Sequence, residues 1–189
     1  MSNQAELKTL TKQAKRYLRS GEHAQAIELL QQAIGLDSDR ADIHELLAAA
    51  YFQQREYERA VEHFTAVLKL NPTEARSEVN IGAIYNRMGR YDQAVISLRR
   101  GIQKDRKCGQ AYYNLGLAYR GLNQLNMGVT AYREAIRLDP DMAEAYLNLA
   151  NIYVEMGNHQ QAILDHKKSL EIKPDWQRAT RGLLAAETA

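Results

Sequence analysis

Tyrosine recurs every 34 residues along this chain, at Tyr17, Tyr51, Tyr85, Tyr119 and Tyr153. No other feature limits the accessible folds as strongly. A fixed period of this size marks a supersecondary unit that cannot bury its apolar face alone and must stack on its neighbours. Small residues keep the same step at Ala14, Ala48, Gly82, Gly116 and Ala150, and again at Ala26, Ala60, Ala94, Gly128 and Ala162. Leu47, Ile81, Leu115 and Leu149 form a further register, with Gln13 standing in that place in the first unit. The three prolines, Pro72, Pro140 and Pro174, lie 68 and 34 residues apart. Registers in phase without an insertion define five units: 7–40, 41–74, 75–108, 109–142 and 143–176.

Each unit reads as two helices. In 109–142, Tyr112, Leu115, Gly116 and Tyr119 make one amphipathic stripe, and Gly128, Tyr132, Ala135, Ile136 and Leu138 make a second. Asp139-Pro140 stops the second helix. The turn inside each unit is expected at Gly21, Gly89 and Gly157, with Asn123 in the same place, because these residues accept the left-handed conformation that ends a helix. Arg55 stands there in the second unit, so strain or a different turn is expected. Asp105-Arg106 replaces Asp-Pro in the third unit, so a weaker stop is expected there.

A 34-residue helix-turn-helix unit with Leu, Gly or Ala, Tyr, Ala and Pro in this order resembles the tetratricopeptide repeat, over residues 7–176. The family's leading Trp is replaced by Leu10, His44, Glu78, Tyr112 and Tyr146, with Glu78 the poorest match. The resemblance implies an all-α, right-handed α-solenoid of five helix pairs forming a single domain over 1–189. A capping helix is expected over 177–188, with Asp175 at its start and Leu183 and Leu184 as its apolar face.

Composition narrows function. Twenty-five Lys plus Arg against 23 Asp plus Glu gives +2, which argues against nonspecific nucleic-acid binding. The single cysteine, Cys108, excludes an intramolecular disulfide and a Cys-rich zinc site. The first residues lack the apolar core of a signal peptide, and the longest apolar run, Leu46 to Phe52, is far too short to span a bilayer. A cytoplasmic protein without membrane insertion is expected. The histidines form no i, i+4 pair, and neither a phosphate loop nor a nucleophile-base spacing occurs. The chain therefore reads as non-enzymatic, with no cofactor and no metal.

Function then falls to the surface. In the tetratricopeptide family the first helices of successive units line a concave groove. Helical geometry places Asn80, Asn114 and Asn148 on that face, 34 residues apart. An amide offers donors and an acceptor together and can pair with an extended peptide backbone. The row resembles the asparagine ladder of O-linked N-acetylglucosamine transferases. Val79, Tyr113 and Leu147 flank the asparagines, either as walls of shallow side-chain pockets or as core residues. Arg76, Arg87 and Arg120 add cations; Asp42, Glu45, Glu144 and Glu155 make other stretches acidic. Lys8, Lys12, Lys15 and Arg19 share one face of the first helix and are expected to steer an acidic partner. The carboxylate clamp of chaperone-binding grooves is not matched.

Three readings follow. The first is an adaptor or scaffold that holds an extended peptide of a protein partner in the groove. The second is an assembly subunit docking by its convex face or end helices, as a homo-oligomer or within a larger complex. The third is a phosphate or nucleic-acid contact through Arg99, Arg100, Lys104, Arg106 and Lys107.

Overall fold

The computed structural model describes residues 3–188, and among them every regular element is an α-helix. The first unit of the repeat gives α1 (Asn3–Ser20) and α2 (His23–Leu36), and the second gives α3 (Ala41–Gln53) and α4 (Tyr57–Leu70). The third gives α5 (Ala75–Arg87) and α6 (Tyr91–Lys104), the fourth α7 (Gly109–Gly121) and α8 (Leu125–Leu138). The fifth gives α9 (Ala143–Glu155) and α10 (His159–Ile172), followed by α11 (Gln177–Glu187). The helix pairs keep the phase read from the sequence.

Two kinds of turn set that phase. Within each pair the first helix ends on a residue of positive φ: Gly21 at 79°, Arg55 at 62°, Gly89 at 71°, Asn123 at 59° and Gly157 at 75°. The next N–H then donates back to the carbonyl of the repeat tyrosine, from Glu22 to Tyr17, Glu56 to Tyr51 and Arg90 to Tyr85, each at 2.9 Å. Gln124 to Tyr119 and Asn158 to Tyr153 follow at 2.8 Å. This is the Schellman closure of a helix. Arg55 makes the same turn as its glycine counterparts, so the alternative of a different turn is removed and the left-handed strain falls on an arginine.

Between pairs, the side chain closes the turn. Asp37, Asp105 and Asp139 follow the last helical residue, and their Oδ1 atoms accept the N–H two residues on, from Asp39 at 3.1 Å, Lys107 at 2.9 Å and Asp141 at 3.2 Å. Without a proline, α6 still ends at Lys104, in phase with Leu36, Leu70, Leu138 and Ile172. Asp37 and Asp105 make this turn without a following proline, whereas at Lys173 a proline follows a residue that has no carboxylate.

The chain divides into two compact units, 1–84 and 85–189, with the boundary inside α5. In the first, α1 packs on α2, α2 on α3 and α3 on α4. In the second, each helix from α6 to α11 packs on the next, and α7 and α11 also touch α9. A core of Tyr132, Ala135, Ala145, Leu149, Ile152, Tyr153 and Ala162 runs through the second unit. The small-residue register has the packing role its size suggests: a Cβ on Gly116 would lie 2.6 Å from the ring of Tyr132. At the chain's end, Leu184 is 57% exposed, and the buried side chains of α11 are Ala179 and Ala186 instead. Leu183 is half-buried. The expected Leu183-Leu184 face is therefore replaced by one of small residues, which lets α11 lie close on α10: a Cβ on Gly182 would fall 2.4 Å from the His166 ring.

Candidate functional site

The first helices of the second unit carry buried polar side chains on one face. Asn114 on α7 and Asn148 on α9 are 7% and 6% exposed, an uncommon burial for an amide. Asn148 donates from Nδ2 to the hydroxyl of Tyr113 at 3.1 Å. The Asn114 side chain makes no hydrogen bond among the described residues, whereas its backbone carbonyl accepts from Nδ2 of Asn86 at 2.8 Å. Burial raises the phenol pKa of Tyr113, opposed by the bond from Asn148; Glu144 raises it further, while Arg178 and Arg87 lower it. That set of neighbours places Arg87, Tyr113, Glu144, Asn148 and Arg178 around one surface.

Arg120 is not an open cation on this face. Its guanidinium pairs with Glu155, the Nε–Oε1 distance being 2.9 Å. Lys173 likewise pairs with Glu144, whose carboxyl is held below its ordinary pKa mainly by that bond. The basic and acidic stretches read from the sequence thus partly neutralise each other. Val79 and Leu147 are 5% and 2% exposed and belong to the core. Tyr113 is half-buried and tilted against Tyr132, with ring centroids 5.9 Å apart. Arg87 is exposed. In the first unit, Asn80 is half-buried and Arg76 exposed on α5.

Lys8, Lys12, Lys15 and Arg19 are all exposed on α1 and line an open cleft with Arg40 and Asp42. Arg40 forks onto Asp42 at 2.9 and 2.8 Å, and this bond, with the Lys15 charge beside it, lowers the carboxyl pKa. A contact that residue spacing did not disclose lies nearby. His44 and His63 meet Nδ1 to Nδ1 at 2.9 Å, and His44 Nε2 sits 3.1 Å from the Ser38 carbonyl. A carbonyl only accepts, so Nε2 of neutral His44 carries the proton and Nδ1 of His63 is the donor of the pair. The residues are 19 apart, across a turn, where no helical spacing rule applies. No group of three or more His, Cys, Asp or Glu side chains among the described residues is placed to hold a metal. No helix among them is long and apolar enough to cross a membrane.

Paired helices in fixed register, joined by identical turns and presenting polar side chains from successive first helices, define a helical-repeat interaction scaffold. Tetratricopeptide repeat models match residues 11–75, 52–118, 119–157 and 143–175. The chain belongs to the tetratricopeptide repeat family, and its fold class is the α-solenoid of that family. Residues 41 to the end of MamA from Desulfovibrio magneticus RS-1 are 27% identical, with a TM-score of 0.83 over 89% of this chain and 96% of that one. YrrB, described as a tetratricopeptide protein with an unusual peptide-binding site, is 18% identical, with a TM-score of 0.76 over 100% of this chain and 99% of that one. TTC0263, a thermophilic tetratricopeptide protein of Thermus thermophilus, is 17% identical, with a TM-score of 0.74 over 97% of this chain and 100% of that one. At the identities of these last two the likeness is one of fold. No functionally curated protein shows a significant sequence match. Proteins of this family are typically non-enzymatic adaptors that bind other proteins.

Proposed function

We propose that the chain is a protein-interaction adaptor whose second unit holds an extended peptide segment of a partner through Asn114 and Asn148. The observation that carries this is the state of the two amides. Both side chains are mostly buried, on the same register of adjacent first helices, yet Asn114 makes no side-chain hydrogen bond among the described residues and Asn148 uses one donor only, which leaves their remaining polar atoms for a ligand. An amide held in place with its donor and acceptor unused by the chain pairs with a peptide N–H or C=O at that face. Tyr113 and the exposed Arg87 flank the row and favour a peptide with apolar and acidic side chains. Asn80 carries the same chemistry on α5 of the first unit. The α1 stripe of Lys8, Lys12, Lys15 and Arg19 speeds the approach of an acidic partner without contributing much affinity.

The test is peptide display against the intact chain, followed by the double variant Asn114→Ala/Asn148→Ala with its fold checked by circular dichroism. Two hydrogen bonds at about 0.5–1.5 kcal/mol each predict a loss of roughly 5- to 150-fold in affinity for the selected peptide. A peptide that binds the double variant as tightly as the parent refutes the role of the amides.

A further inference from the structure

A second cleft lies in the second unit, lined by residues of α6, α7 and α8 and of the turn after α6, with a volume of about 450 Å³. Its floor is the repeat face of α7, namely Tyr112, Leu115 and Tyr119, with Met127 of α8 on one wall and Arg99 and Arg106 on the rim. The groove proposed above uses none of these side chains.

Comparison along the repeat shows why this notch is open. In the second unit of the repeat, the hydroxyl of Tyr51 accepts from Gln31 at 2.8 Å, and the Arg59 guanidinium lies over its ring at 5.4 Å. In the fifth, Tyr153 accepts from Arg133 at 2.6 Å, and the same guanidinium covers its ring at 5.9 Å. Tyr119 has Arg99 in the register of Gln31 and Arg133, and Met127 in the register of Arg59. Among the described residues no bond joins Arg99 to Tyr119, and Met127 is left 48% exposed. Two sister notches are filled by the protein's own side chains; this one presents an apolar floor beneath two exposed arginines.

We infer that this cleft is a docking site for an acidic peptide segment bearing an aromatic or aliphatic anchor. The charge argument is local. Residues 85–108 contain seven basic side chains (Arg87, Arg90, Arg99, Arg100, Lys104, Arg106, Lys107) and two acidic ones (Asp92, Asp105), an excess of +5 on a chain whose total is +2. The apolar argument selects the class of partner. Leu115 and Met127 give nothing to a phosphate backbone, and a nucleic acid draws its affinity from many cations in a track, whereas here two stand on the rim. An apolar anchor on Leu115 and Met127, under carboxylates paired with Arg99 and Arg106, matches both the apolar floor and the cationic rim. Arg99 stands on α6 and Arg106 in the turn just beyond its end, so both reach the rim of the same cleft. The expected motif is therefore an apolar anchor flanked by acidic residues on both sides.

The probe is a fluorescein-labelled peptide of about twelve residues with the core Glu-Phe-Phe-Glu in a Gly/Ser background, titrated with the full chain by fluorescence anisotropy. Controls carry Lys for Glu or Gly for Phe, and an oligouridylate of the same length is run in parallel. Binding is expected, weakened about tenfold or more by Arg99→Glu/Arg106→Glu and about fivefold by the independent variant Met127→Asp. The Lys-bearing and Gly-bearing peptides are expected to bind at least about tenfold more weakly. Methyl resonances of Met127 and of Ile102, which also lines the cleft, are expected to shift on titration, which separates this site from the amide groove. Absence of binding at millimolar protein, an affinity indifferent to the double charge reversal, or tighter binding of the oligouridylate overturns the inference.

Discussion

One core register distinguishes the early helix pairs from the late ones. Leu30, Phe64 and Leu98 fill it in the first three pairs; Tyr132 and His166 fill it in the last two, and all five are buried. The early residues are hydrocarbon. The late ones bring polar atoms without partners: the Tyr132 hydroxyl and both ring nitrogens of His166 find no hydrogen bond. Beside His166, Asp165 is also buried with an unpaired Oδ2. The repeat therefore fixes the volume of this position more strictly than its chemistry. At this register the last two pairs carry unsatisfied polar atoms that the first three lack.

Truncation is the strongest way to separate the two chemistries. Tyr132→Ala is expected to cost roughly 3–5 kcal/mol, because it opens a large cavity against Gly116. His166→Ala is expected to cost well under half of that, since it also removes two unsatisfied nitrogens. Urea midpoints read both, and equal losses break the comparison. Next in size, His166→Leu, which copies Leu98, is expected to raise stability by about 1–3 kcal/mol. A lowered midpoint shows that the imidazole packs better than hydrocarbon there.

Acidity gives a smaller and signed effect. Burial holds the His166 imidazole below its ordinary pKa of 6.5, so the unfolded chain takes up the proton first. Stability is then lost as pH falls from about 6.5 through the folded value. Asp165 runs the other way: burial pushes its carboxyl from 3.8 up to about 6, with the Gln161 bond and the Arg133 charge opposing. Its favourable contribution is complete below the unfolded value and is lost as pH rises through about 6. His166→Leu is expected to remove the loss of stability as pH falls below about 6.5, and Asp165→Asn the loss as pH rises from 3.8 to about 6. The smallest effect is Tyr132→Phe, expected to be neutral or to stabilise by about 1 kcal/mol, read in the same denaturant series.

The sequence disclosed the helix pairs almost to the residue because their turns are local. A single left-handed residue closes each turn inside a pair, so Gly21, Gly89 and Gly157 were visible as turn residues, and Arg55 differed only in bearing the strain. What escaped sequence reading depends on which way a helix is rolled. Val79 and Leu147 sit beside the asparagines in sequence, yet face the core. Leu184 belongs to an apolar pair and points outward, because α11 packs through Ala179, Gly182 and Ala186. The His44–His63 contact and the Arg120–Glu155 pair join side chains on different helices, 19 and 35 residues apart, and no single-helix period encodes them. Of the candidate groove, the register of Asn114 and Asn148 was legible; the bond between Asn148 and Tyr113 was not.

The Asp37, Asp105 and Asp139 turns carry a genetic consequence. Each closes its helix with a bond to the residue two places on, so no distant segment has to change when a unit is added or removed. Unequal recombination between two such codons leaves the reading frame, the helix phase and the junction chemistry as they were. A lineage can thus lengthen or shorten the array in one event, and each new unit arrives already able to fold and free to drift at its exposed positions.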